Sequence, residues 1–160
     1  MDHMRRPAPT KSETDQLRAS VSTLIRVFHI NEKAAPAAEG QTKYSPYDFQ
    51  ALGFVADNPG CMATALAAFL VVSPTTATSI ADRLVKRGLL EHERPQDNRR
   101  AIAMSLTGEG RTLHQAIVRQ DLKNMAIMLE PLLPEERATF LALMARIVQR
   151  IKDLEDQSRT

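Results

Sequence analysis

The stretch Glu91 to Gly110, EHERPQDNRRAIAMSLTGEG, constrains the fold more than any other, because it holds two short strand patterns, a basic turn between them and a helix start directly after. Pro95, Gln96, Asp97 and Asn98 supply turn chemistry. Beyond them, Ile102, Met104 and Leu106 alternate with Ala101, Ala103 and Ser105 at the period of a half-buried strand. Arg94, Arg99 and Arg100 flank the tip. Thr107 stands where a helix N-cap belongs, and Glu109 follows in the first turn before the apolar positions Leu113, Ile117 and Val118. The pattern predicts a projecting basic hairpin anchored by a helix, which is how a DNA-binding wing looks in sequence.

Upstream, Ala63 to Leu90, ATALAAFLVVSPTTATSIADRLVKRGLL, reads as two short helices with a tight junction at Val71 to Pro74, a helix-turn-helix pattern. Ser73 is a good N-cap, and Pro74 suits the first helical position, where its missing N–H costs nothing. Thr75, Thr76, Thr78 and Ser79 give one side of the second helix a small, hydroxyl-rich surface, while Ile80, Leu84 and Val85 sit at core spacing on the other. Gly88 ends the helix after Lys86 and Arg87, two cations favoured by the negative end of the helix dipole.

With these elements in this order, the chain resembles the MarR family of winged-helix transcriptional regulators over most of its length. The most specific pieces are the D-R-L-x-x-[RK]-G-L run at Asp82 to Leu89, the Asp-x-Arg at Asp97 and Arg99, and the Leu-Thr-x-x-Gly at Leu106 to Gly110. One such piece is weak evidence, since helix-turn-helix matches occur by chance, but three in the family's order are strong. The resemblance implies a mainly α fold: a winged helix-turn-helix with a small β-hairpin wing and a helical dimerisation region. Residues 45–106 would form the lobe and residues 12–32 and 107–156 the dimerisation helices, in a single MarR-like chain of residues 12–156 with tails at 1–11 and 157–160.

Composition agrees with this reading. A chain of 160 residues fits one domain, and no apolar run approaches the ~20 residues a membrane span needs. The start, MDHMRRPAPTK, lacks the apolar stretch of a signal peptide and reads as a disordered tail, so a cytoplasmic protein is expected. A lone cysteine, Cys61, rules out an internal disulfide framework and a cysteine-based zinc site. The net charge of +2 is small for a nucleic-acid binder, yet Arg83, Lys86, Arg87, Arg94, Arg99 and Arg100 crowd one region.

The rest of the chain divides by periodicity. From Ser12 to about Asn31, Leu17, Val21, Leu24 and Phe28 repeat at helical spacing. Lys33 to Lys43 reads as a loop, after which Ser45 as N-cap, Pro46 and Asp48 make a capping-box-like start to a helix that Asn58, Pro59 and Gly60 stop. Two long helices, Thr107 to about Leu132 and Pro134 to about Asp156, finish the chain. The last carries Phe140, Met144, Ile147, Ile151 and Leu154 in a coiled-coil-like seam. This seam and that of Leu17 serve a homodimer or an intramolecular bundle equally by pattern, and the resemblance favours interlocking helices of two copies.

Helix-turn-helix proteins press the start of the second helix against base edges, which makes Ser73, Pro74, Thr75, Thr76, Thr78 and Ser79 the candidate readers of duplex DNA. Many members of the family carry an arginine where this chain has Ser79, so bidentate guanine recognition from that position is absent and DNA shape gains weight. Arg83 and Arg87 read as phosphate contacts or as ordinary ion pairs, Arg83 beside Asp82. In the family the Asp of the wing motif orients its Arg into a minor groove. Here Arg94, Asp97, Arg99 and Arg100 are the wing candidates, and the run from Arg99 to Leu106 is one residue longer than the family pattern leads one to expect. Either the strand bulges or Arg100 does the reaching.

No phosphate loop, nucleophile elbow or paired carboxylates in an apolar context appear, so no enzymatic activity and no cofactor are expected. His29 and His114 are too isolated to indicate a metal, and Cys61, in the turn before the DNA-binding helices, reads as a buried inert thiol rather than a sensor. Tyr44, Tyr47, Phe49 and Phe54 concentrate rings in a chain otherwise poor in them, which suits either core packing or a pocket for a small aromatic or phenolic effector. The sequence therefore predicts a homodimeric repressor of pseudo-palindromic double-stranded DNA, released by a small ligand. The alternative is a winged-helix interaction module that does not bind DNA.

Overall fold

The computed structural model describes residues 7–27, 43–93 and 103–158, which form six helices and three strands. The chain divides into two compact units, Met1–Gln120 and Asp121–Thr160. In the first unit, helix α1 spans Lys11–Val27 and buries none of its residues. The remainder of the predicted first helix, Phe28 and His29 included, falls outside the described residues, as do Arg94, Asp97, Arg99 and Arg100.

Helix α2 (Pro46–Asp57) begins as its sequence dictates. The Ser45 side chain accepts from the Asp48 N–H, and Asp48 Oδ2 accepts from the Ser45 N–H at 2.7 Å, completing a capping box behind Pro46. Asn58 ends the helix by donating its own N–H to Phe54 O. Strand β1 (Cys61–Met62) leads into α3 (Ala63–Leu70) and, after a tight junction, α4 (Pro74–Lys86). Then come β2 (Leu90–Glu93), β3 (Ala103–Leu106) and α5 (Gly108–Leu129), which continues into the second unit.

The sheet has three strands in the order β1-β3-β2, both pairs antiparallel. The third strand corrects the expectation of a bare hairpin: Cys61 pairs with Met104, so Cys61 lies in a strand rather than a turn. It also explains why Ala103 is buried along with Met104 and Leu106, because a central strand is covered more fully than an edge. Register runs unbroken from Leu90↔Leu106 to Glu93↔Ala103, so no bulge occurs within these four pairs.

The core of this unit joins Phe49, Leu52 and Val55 of α2 to Leu66 and Leu70 of α3. It continues through Ala77, Ile80, Ala81 and Leu84 of α4, the sheet residues Leu90, Met104 and Leu106, and Ile117 of α5. In the second unit Pro131 and Pro134 break the helical run, and helix α6 (Pro134–Ser158) starts afresh. Glu136 accepts from the Leu133 N–H at 2.8 Å, and Arg137 Nε donates to Leu129 O at 2.9 Å, which fixes the corner. Met144, Ile147, Ile151 and Leu154 lie exposed along α6. No helix among the described residues is long and apolar enough to cross a membrane.

Candidate nucleic-acid interface

The two helices of the helix-turn-helix meet at an angle of 110°. The bend is made by Val71, which caps α3 in the left-handed region at φ 55°, ψ 46°, while Val72 donates its N–H to Ala67 O at 3.1 Å. A β-branched residue is strained in that conformation. Val71 is also 72% exposed, so packing does not compensate it.

Beyond the bend, Ser73 caps α4 by accepting from the Thr76 N–H at 3.1 Å, with Pro74 in the first turn as predicted. The hydroxyls of the helix then divide into two groups. Thr76 Oγ1 bonds Ser73 Oγ at 2.8 Å and Thr78 donates back to Pro74 O at 2.9 Å, so these are used locally. Thr75 and Ser79 have no side-chain partner among the described residues. Ala77, Ile80, Ala81 and Leu84 face the core, so Thr75, Ser79, Asp82 and Lys86, spaced four, three and four apart, make the exposed stripe opposite. The sequence motifs mark Asp82 only as the start of the D-R-L run and Lys86 only as one of the crowded cations, although helical spacing from Thr75 and Ser79 puts both on the same face.

Arg83 and Arg87 turn to one flank and meet the start of α2. Arg83 Nε donates to Asp48 Oδ1 at 3.1 Å, and its Nη2 reaches Asp48 at 2.5 Å and Ser45 Oγ at 3.4 Å. Asp48 is wholly buried, while the Arg83 side chain keeps 38% of its exposure. The partner of Arg83 is thus Asp48 from another helix, not the neighbouring Asp82. Arg87 lies over the Tyr44 ring at 4.1 Å from its centroid, and Tyr44 in turn packs against Phe49 at 5.4 Å.

The end of α4 is fastened to the wing and to α5. Gly88, at φ 71°, donates to Val85 O, and Leu89 donates to Leu84 O, giving the paired bonds of a Schellman cap. Thr107 donates its N–H to Leu89 O at 3.1 Å and its hydroxyl to Gly88 O at 2.5 Å, while accepting from the Gly110 N–H at 3.0 Å. One residue thereby caps α5 and ties it to the C-terminus of α4. A Cβ on Gly110 would stand 2.0 Å from Leu89 O, so this approach requires glycine.

Against the wing side of α2 lies a cavity of about 570 Å³, whose polar lining includes Asp57, Glu91, Arg111 and His114. The four predicted pocket rings do not line it. Phe49 is buried, Tyr47 is exposed, and Phe54 stacks on Phe69 at 4.6 Å. Five residues along a helix rotate a side chain by about 140°, so Phe49 and Phe54 cannot share one wall. Cys61 is half-buried, and burial pushes its thiol above the usual range, which favours the protonated form.

The MarR family model matches residues 44–101, which span α2, both helices of the helix-turn-helix and the start of the wing. The transcriptional regulator PecS of Dickeya dadantii is 27% identical over 138 residues, covering 82% of this chain and 81% of that protein. The fold is shared with Streptococcus pneumoniae FabT, solved in complex with DNA, at a TM-score of 0.76 and 18% identity over 88% of this chain and 96% of that one. It is also shared with Bordetella bronchiseptica BpsR, whose DNA binding is regulated by 6-hydroxynicotinic acid, at a TM-score of 0.60 and 19% identity over 86% of this chain and 99% of that one.

Proposed function

Since the chain belongs to the MarR family of winged-helix DNA-binding transcriptional regulators, whose members are not enzymes, we propose that it acts as a homodimeric repressor of a pseudo-palindromic operator and is released by a small aromatic acid. The observation that carries the DNA-reading part is the stripe of Thr75 and Ser79, whose hydroxyls have no partner among the described residues on the exposed face of a capped α4. A hydroxyl held out from a rigid helix can donate to or accept from a base edge, and the threonine methyl packs on thymine. Ser73, Pro74, Thr76 and Thr78 shape the entering end, and Lys86, with the remaining exposed edge of Arg83, offers charge to phosphates. In this reading Arg94, Asp97, Arg99 and Arg100 supply the wing contacts.

Dimer formation is supported by two sets of exposed apolar side chains at helical spacing: Leu17, Val21 and Leu24 on α1, and Met144, Ile147 and Ile151 on α6. Stripes of this length mark association surfaces. A two-fold assembly also explains why the operator should be a pseudo-palindrome.

The effector reading moves from the rings to the cavity. Its volume lies within the range of small-molecule sites, and Arg111 with His114 offers cationic and donor groups to a carboxylate. The regulation of BpsR by 6-hydroxynicotinic acid supports an aromatic carboxylate here. The cavity touches Leu106 and Arg111, next to the Thr107 fastening, so an occupant would act on the link between wing, α4 and α5. Selection of bound sequences from a random duplex pool tests the proposal: two inverted half-sites are expected, and enrichment of no sequence would leave a winged-helix interaction module. A panel of aromatic carboxylates should then include one that releases the selected operator, weakening binding by roughly 5- to 150-fold.

A further inference from the structure

Asp82, the first residue of the D-R-L run, puts a negative charge on the face proposed to meet DNA. It is exposed, shares the outward stripe with Thr75, Ser79 and Lys86, and has no hydrogen bond or ion pair among the described residues. Arg83, adjacent in sequence, turns to Asp48 and leaves it alone. Its Cα lies about 4.5 Å beyond that of Ser79 along the helix axis, little more than one base-pair step. A carboxylate facing phosphates would be repelled, so its presence on this stripe calls for a compensating donor.

We propose that Asp82 is a specificity-determining residue of the DNA-reading face and accepts a hydrogen bond from the N4 amino group of a cytosine in each half-site. The proposal rests on the DNA-reading function above. An ionised carboxylate only accepts hydrogen bonds. In the major groove guanine shows two acceptors, thymine shows an acceptor and a methyl group, and adenine sets an acceptor beside its donor. Cytosine alone presents a donor with no acceptor next to it. Asp82 therefore attracts one base and rejects three, while Lys86, one turn further on with a long flexible stem, serves a phosphate. Rejection matters as much as attraction in this chain, because the small hydroxyls of Thr75 and Ser79 discriminate weakly by themselves.

The test compares wild type with Asp82→Ala and Asp82→Asn on the operator obtained from random-pool selection and on all its single-base variants, with thermal midpoints measured alongside to confirm folding. Replacing one cytosine per half-site should weaken wild-type binding by roughly 5- to 150-fold. In Asp82→Ala that penalty should vanish while penalties at other positions persist. Asparagine bonds adenine through N6 and N7, so Asp82→Asn should shift the preferred base at that position from cytosine to adenine. A position profile unchanged in both variants, with all sequences bound more tightly by the same factor, would show that Asp82 contributes only repulsion and would overturn the inference. An operator without a cytosine-dependent position would overturn it equally. Failure of the wild type to bind any duplex would instead overturn the DNA-reading function on which it stands.

Discussion

Asp48, wholly buried at the third position of α2, holds the guanidinium of Arg83 through Nε at 3.1 Å, so the capping box of one helix is also the anchor of α4. The carboxylate satisfies the Ser45 N–H and Arg83 at once. Two elements far apart in sequence are thereby fixed to each other by a single side chain.

Breaking this pair should be costly in either direction. Removal of Arg83 strands a buried charge, which costs ~3 to 5 kcal/mol for a fully buried pair, and the partial exposure of Arg83 brings the expectation for Arg83→Met down to about 2 kcal/mol. Asp48→Asn keeps the capping acceptor and should cost less than Asp48→Ala. Urea midpoints give both differences. If Arg83→Met leaves the midpoint unchanged while abolishing DNA binding, Arg83 serves phosphates alone.

Val71 offers a change in the opposite direction. Its left-handed backbone costs a non-glycine residue ~1 to 2 kcal/mol, whereas glycine loses ~0.5 to 1 kcal/mol through a freer unfolded chain. The exposed side chain forfeits little packing when removed. Val71→Gly is therefore expected to stabilise by about 0.5 kcal/mol and raise the melting midpoint by roughly 1 to 2 °C. A lower midpoint would mean that the valine methyls pack in a way exposure does not reveal.

Gly110 should tolerate nothing larger. The clash of a new Cβ with Leu89 O forces α5 away from the end of α4 and breaks the Thr107 bonds, so Gly110→Ala is expected to cost about 2 to 4 kcal/mol. Gly108→Ala is the control, since a Cβ there meets open space. Equal midpoints for the two variants would remove the fastening from the account.

These elements differ in how legible they are. Ser45-Pro46-x-Asp48, Ser73-Pro74, Gly88 and Thr107 each announce a helix end, because capping is local chemistry within a few residues. Strand β1 is invisible by comparison: two residues have no period, and only pairing with β3 defines them. The bond between Arg83 and Asp48 spans 35 residues and leaves no spacing to find. For the rings, clustering in sequence does not carry over to space, since a helix spreads its side chains around it: Phe49 packs on Tyr44 and Phe54 on Phe69.

The seam on α6 leads to a prediction about assembly. Ile147 is half exposed within the chain, so Ile147→Glu costs the isolated chain little. In a dimer the same change buries an unpaired charge. Sedimentation at micromolar concentration should show a wild-type dimer and a folded monomer, or insoluble chain, for Ile147→Glu. A wild type that sediments as a monomer would refute the proposed assembly.

The affinity for duplex DNA as a function of salt measures whether this chain binds through phosphate contacts. A protein that reads DNA through α4 and a basic wing must displace counterions, so log K should fall linearly with log salt, by about 10³-fold or more between about 50 and 200 mM for six or more phosphate contacts. Lys86→Ala should flatten that slope by about one unit without altering sequence preference. Absence of binding at about 50 mM salt, or an affinity indifferent to salt, would contradict the account.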